Sequence, residues 1–97
     1  MGRDAAGEVD CQAGVFGEIM REPDQDAFLR DVKEEINTAK KKFPYPNPNL
    51  AALTEEVGEL AQAMLQRKTP SEIYAEAVQV AAMAMRCALE GDPQFHA

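Results

Sequence analysis

The chain is short of most residue types on which nucleophilic and redox chemistry is built. It has no tryptophan, 1 histidine and 2 cysteines in 97 residues, and aromatics make up 6%. The one histidine, His96, stands next to the C-terminus, which argues against histidine catalysis and multi-histidine metal sites. Cys11 and Cys87 fit neither a metal-ligand spacing nor a C-x-x-C pair. One disulfide between them is open; two reduced thiols in a cytosolic protein are the plainer reading. Cations are scarce as well, with 10 Lys and Arg against 17 Asp and Glu, a net charge of −7. Without a positive field, non-specific nucleic-acid binding and attachment to an anionic membrane surface are disfavoured. Small anionic substrates stay open, because a bound metal inverts the local sign. No apolar run approaches the roughly 20 residues of a membrane span. The N-terminal stretch carries Asp4, Glu8, Asp10 and Glu18 without an apolar core, so no secretory signal is expected and a cytoplasmic location is. Strand signals are missing too.

What remains is helical. A chain of this length makes one domain at most, with a modest core, so an oligomer is in play from the start. Residues 1–22 are weakly patterned and expected to be mobile or partly helical, with Val15, Phe16, Ile19 and Met20 interrupted by Gly14 and Gly17. Residues 23–92 form the helical domain and 93–97 a tail. Asp24 is an N-cap for a helix over about 24–42, whose stripe is Phe28, Leu29, Val32, Ile36, Ala39 and Phe43. Lys40, Lys41 and Lys42 suit the negative end of its dipole. The alternating prolines of Phe43-Pro44-Tyr45-Pro46-Asn47-Pro48-Asn49 dictate a stiff loop. Asn49 is expected to cap a second helix over about 50–67, with Leu50, Leu53, Val57, Leu60, Ala61 and Met64 inward. Thr69-Pro70-Ser71-Glu72 reads as a capping box opening a third helix, about 70–90, that Gly91, Asp92 and Pro93 end.

The third helix is apolar around most of its circumference. At about 100° per residue, Glu72, Glu76, Gln79, Arg86 and Glu90 fall in one narrow wedge. A helix apolar nearly all round is buried nearly all round, and two neighbours of the same chain cannot wrap it. A second subunit is expected to cover the rest.

The second helix holds Glu55, Glu56 and Glu59 with no Lys or Arg among them. Residues three and four apart on a helix are neighbours, and like charges there repel by a few tenths of a kcal/mol. A divalent cation held by oxygen ligands would offset that repulsion. Glu76 and Gln79 repeat the one-turn spacing on the third helix. A short connection favours antiparallel packing of the two helices, and carboxylates facing each other across a bundle are how such folds build divalent-metal sites. Oxygen donors suit Mg²⁺, Mn²⁺ or Ca²⁺, and Mg²⁺ is commonly completed by substrate phosphates. The alternative is a solvated acidic face.

Glu55-Glu56-x-x-Glu59, sixteen residues, then Glu76-x-x-Gln79 resembles the MazG-like, all-α nucleoside triphosphate pyrophosphohydrolase superfamily, which includes MazG, HisE and the all-α dCTP and dUTP pyrophosphatases. The resemblance spans roughly residues 24–91. It implies that Glu56, Glu59, Glu76 and, in altered form, Gln79 bind Mg²⁺ or Mn²⁺. It implies that Glu55 supports the site or acts as base for the attacking water. It implies cleavage of a nucleoside triphosphate between the α and β phosphates, to monophosphate and pyrophosphate, in nucleotide-pool house-cleaning by a homodimer or homotetramer. Gln79 stands where the family has Asp. The amide offers a neutral carbonyl oxygen on a longer side chain. Either the site works with a modified metal shell, or the chain is a catalytically silent assembly or nucleotide-binding module.

Weaker candidates line up around that site. Arg86 shares the polar wedge with Gln79, and Lys40 could reach a triphosphate. Phe43 and Tyr45 could stack on a base, and Asn47 could read its edge. Each also has a plain role in core, surface or dipole complement.

Overall fold

A computed structural model describes residues 23–95. The N-terminal segment expected over 1–22, with Cys11, and the histidine at position 96 lie outside the described residues. The described chain is all-helical: α1 (Gln25–Lys42), α2 (Asn49–Leu65), α3 (Pro70–Glu90) and a 3-10 turn over Pro93–Phe95. None of these helices is long and apolar enough to cross a membrane.

The local signals act as the side chains require. Asp24 Oδ1 accepts from the Ala27 N–H at 2.8 Å and starts α1. Thr69 and Glu72 close the capping box that starts α3, with Pro70 just inside it. Gly91, at φ 69°, ends α3 in a backbone region that side chains rarely enter. α2 stops at Leu65 rather than near 67. Arg67 takes φ 56°, and the Arg67 and Lys68 N–H groups turn back to the Met64 and Ala63 carbonyls at 3.1 and 3.0 Å. These paired reverse bonds satisfy carbonyls that the helix end leaves open.

α3 carries the packing. Tyr74 bonds Asp31, and Arg86 bonds the Phe43 carbonyl, both across a separation of 43 residues. A constant offset along two helices means that α1 and α3 run parallel. Asn49 at the start of α2 meets Gly91 after α3, while Glu59 meets the earlier Glu76, so α2 runs antiparallel to α3. Val32 and Ile36 of α1 close on Val78 and Ala82 of α3, with Phe28, Tyr74, Ala81 and Met85 around them. Val32, Ile36 and Val78 are each worth roughly 1.5–3 kcal/mol when removed from water. Phe28 and Tyr74 meet edge to face, their centroids 5.6 Å apart.

Two expectations are corrected. Asn49 is not the cap of α2. Its side chain is 0% exposed and donates to the Gly91 carbonyl at 2.7 Å, while accepting from Asn47 at 2.7 Å. The capping is done from a distance in sequence: Asp92 Oδ2 accepts from the Leu50 N–H at 2.8 Å. The reach of α3 past Gly91 supplies a better-placed carboxylate than the local amide. The apolar stripe of α2 is only partly inward: Leu53 and Leu60 are partly buried, and the rest is exposed. Val57 is 46%, Met64 58% and Leu65 82% exposed, and Leu50 and Ala61 are exposed with them. α2 turns Leu53, Glu56, Leu60 and Ala63 toward the rest of the fold, and the remainder of its apolar stripe is left beside them. Leu29 and Phe43 of the α1 stripe are exposed for the same reason, a single neighbouring helix on that side.

The polar wedge of α3 points inward. Arg86 is buried, and Glu76, Gln79 and Glu90 are partly buried. Ala84, Ala88 and Leu89 face outward. α3 thus buries an apolar face, with Val78, Ala82 and Met83, and most of its polar wedge as well, which is unusual for a helix of a monomer.

Candidate metal centre

Glu56 and Glu59 are one helical turn apart on α2, and the antiparallel seam brings Glu76 of α3 to them. One carboxylate oxygen from each lies within 4.8 Å of the others. Glu56 and Glu76 are partly buried and Glu59 is exposed, so the cluster opens to solvent on one side. Burial first, and then the charges of Glu59, Glu76 and Glu55, push the Glu56 carboxyl up to about 7. Every charge acting on it is therefore another carboxylate. A hydrogen bond between Glu56 and Glu59 adds to the shift, and two carboxyl groups can share one only with a proton between them. Glu56 Oε1 is buried without any hydrogen-bond partner. A buried acceptor left unmade costs about 1–3 kcal/mol. That orphaned oxygen, among hard oxygen donors from two helices, fits a small divalent cation.

The other expected residues fall into three groups. Glu55 is exposed on α2; it acts on Glu56 through its charge and does not belong to the close triad. Gln79 follows Glu76 by one turn, is partly buried, and acts to lower the carboxyl of Glu35 on α1. Arg86 is placed elsewhere. Its guanidinium is 1% exposed, donates to Glu90 at 2.9–3.2 Å and gives a further bond to the Phe43 carbonyl at 2.8 Å. That bidentate pair holds the Glu90 carboxyl below its ordinary range. Arg86 ties the proline-rich loop to α3 and has no free face for a phosphate. Lys40 lies 3.9 Å from Glu90 in the same network. Asn47 is spent on Asn49. Phe43 and Tyr45 are exposed on the loop and open to contact.

The sequence reading missed Glu35. Burial raises its carboxyl, with the Gln79 side chain and then Lys42 opposing. A helical projection carried the signal: Asp31 and Glu35 are one turn apart on the flank of the Phe28, Val32, Ile36 stripe. Both meet α3, Asp31 through the Tyr74 hydroxyl at 2.6 Å. Burial and then this acidic partner raise the Tyr74 pKa. A separate open cleft of about 910 Å³ at the start of α1, lined by Phe28, Leu29 and Tyr74 among others, contains none of the clustered glutamates.

The raised Glu56 carboxyl links stability to pH. The folded metal-free protein holds a proton that the unfolded chain releases near 4.5. This contribution is full below pH 4.5 and is lost as pH rises through about 7. Thermal unfolding of the wild type and Glu56→Gln should therefore diverge between those limits, the variant gaining about 1 kcal/mol at alkaline pH from three relieved repulsions. Parallel curves across the range would remove Glu56 from this role. No family model, no curated protein and no solved structure matches the chain.

Proposed function

We propose that this chain is a Mg²⁺-dependent nucleoside triphosphate pyrophosphohydrolase of the MazG-like type, with Mn²⁺ as a substitute ion. The observation that carries the reading is the triad itself. Glu56, Glu59 and Glu76 converge from two helices, and one buried Glu56 oxygen has no partner. An acidic chain of net charge −7 repels a triphosphate unless its acidic pocket is first neutralised. A bound cation supplies that neutralisation and lowers the pKa of a coordinated water.

Glu56, Glu59 and Glu76 would hold the ion, with the carbonyl oxygen of Gln79 as a neutral donor. Exposed Glu55 is free to take the proton of the attacking water. The water oxygen bonds to the α-phosphorus, and the bond from that phosphorus to the α–β bridging oxygen breaks. The electron pair leaves on pyrophosphate, and the nucleoside monophosphate remains. Gln79 in place of an acid also supports a second reading, a nucleotide-binding module without turnover.

The reading includes a homodimer or homotetramer. Its support is the exposed seam of Leu50, Val57, Met64 and Leu65 on α2, together with the outward Ala84, Ala88 and Leu89 of α3. A second copy laid on these faces removes them from water.

Two measurements test this. Incubation with each common triphosphate and Mg²⁺ should release pyrophosphate, and Glu56→Gln or Glu76→Gln should lower the rate by more than about tenfold, since even the loss of an outer-shell partner costs that much. Nucleotide binding by calorimetry without pyrophosphate from any substrate would favour the silent module. Sedimentation velocity should give a dimer or tetramer, and Val57→Glu should shift it toward monomer. A monomeric wild type would contradict the assembly.

A further inference from the structure

α2 packs against α3, and an arc of its outer surface carries no charge. Leu50, Val57, Gly58, Ala61, Met64 and Leu65 are all exposed. At about 100° per residue they fall together, on the side turned away from Glu56 and Ala63. The one hydroxyl in the arc, that of Thr54, is turned back onto the Leu50 carbonyl at 2.9 Å. Covering the arc therefore strands no polar side chain. Leu65, at 82%, is the most exposed large apolar side chain among the described residues. Gly58 lies beside it on the same arc. A glycine inside a helix is less stable there than alanine, because it loses more backbone freedom on folding. Nothing in the described chain requires it. A Cβ at position 58 would meet nothing within 4 Å, and Gly58 sits inside the helix without the positive φ of Gly91. What the missing side chain does leave is a recess in the surface of α2.

We infer that a second copy of the chain covers this arc with its own α2, antiparallel about a two-fold axis at Ala61, each copy seating Leu65 in the Gly58 recess of the other. The inference rests on the assembly included in the reading above and names its interface. Charge sets the direction. α2 holds Glu55, Glu56 and Glu59 and no cation, and Arg67 and Lys68 follow its end. Both cations are exposed, and neither forms an ion pair among the described residues. Parallel copies in register would set acid beside acid, and like charges repel. Antiparallel copies centred on Ala61 set Glu55 level with Arg67 of the partner subunit. Their helix dipoles are then opposed as well. Shape agrees with charge at the same register. A two-fold contact is self-complementary. Small Ala61 meets its own copy at the axis, where the two backbones come closest. Val57 falls within one residue of Met64 of the partner subunit on one flank. Gly58 falls within one residue of Leu65 of the partner subunit on the other. Glu59 projects outside the arc, so the pairing covers the apolar surface and leaves the acidic cluster open to a substrate.

The test combines cross-linking with sedimentation velocity on the full chain. Val57→Cys and Met64→Cys are each made in a background of Cys11→Ser and Cys87→Ser, and oxidised alone and mixed. The mixture should give a disulfide-linked dimer. Either variant alone should stay unlinked, because the antiparallel register holds each position further from its own copy than a disulfide spans. Gly58→Leu fills the recess and should weaken self-association about tenfold or more, as overpacking does. Its helicity by circular dichroism should equal or exceed that of the wild type, since leucine is the better helix former. If the wild type assembles but the mixture does not link, or if either variant links to itself, this interface is overturned and the assembly stands. A Gly58→Leu chain that associates as tightly as the wild type overturns it equally. A wild type that is monomeric overturns both.

Discussion

Mutual repulsion among carboxylates in the seam between α2 and α3 is the constraint around which the rest is arranged. Helix propensity and burial would be served better by neutral side chains at 56, 59 and 76. Instead, three acids converge within 4.8 Å, and one oxygen of Glu56 is buried without a partner. The chain concedes stability at this one place. Such local cost is expected where a ligand repays it, because a group that binds only the folded state adds its binding energy to folding.

The concession is possible because the two ends of α3 are anchored by other means. At one end, the capping box of Thr69 and Glu72 fixes where the helix starts. At the other, Arg86, Glu90, Asn49 and Asp92 form a connected network that ties the proline-rich loop and the start of α2 to the end of α3. A buried arginine is tolerable only when its donors are met, and losing one partner of such a pair costs about 3–5 kcal/mol. Fixing both ends sets the register of α2 on α3, and the register decides which acids meet. The same offset along α1 brings Glu35 to Gln79.

Much of this was legible in the sequence, and for identifiable reasons. Asp24, Thr69, Glu72 and Gly91 act within a few residues of themselves, so the helix bounds could be read almost to the residue. The Glu56, Glu59 and Glu76 grouping followed from helical spacing plus a short connection. What failed depended on which neighbour a helix would meet. Asn49 looked like a cap because caps are local, but Asp92 reaches Leu50 from beyond the end of α3. The stripe of Val57 and Met64 looked like core because apolar faces are usually covered, yet no helix of the described chain covers it. Arg86 looked like an anion site because it shared a wedge with Gln79, but that wedge is interior. Glu35 was legible only as a charge one turn from Asp31 on the flank of the α1 stripe, which is ordinary until the partner helix is known.

The most direct measurement of the central claim is the titration of the Glu56 side-chain carboxyl by carbon-13 NMR, with and without Mg²⁺. The account predicts a midpoint near 7 in the metal-free protein and a large downward displacement once the ion is added, because the cation replaces the proton between the carboxylates. A midpoint in the ordinary glutamate range that Mg²⁺ leaves in place would contradict it.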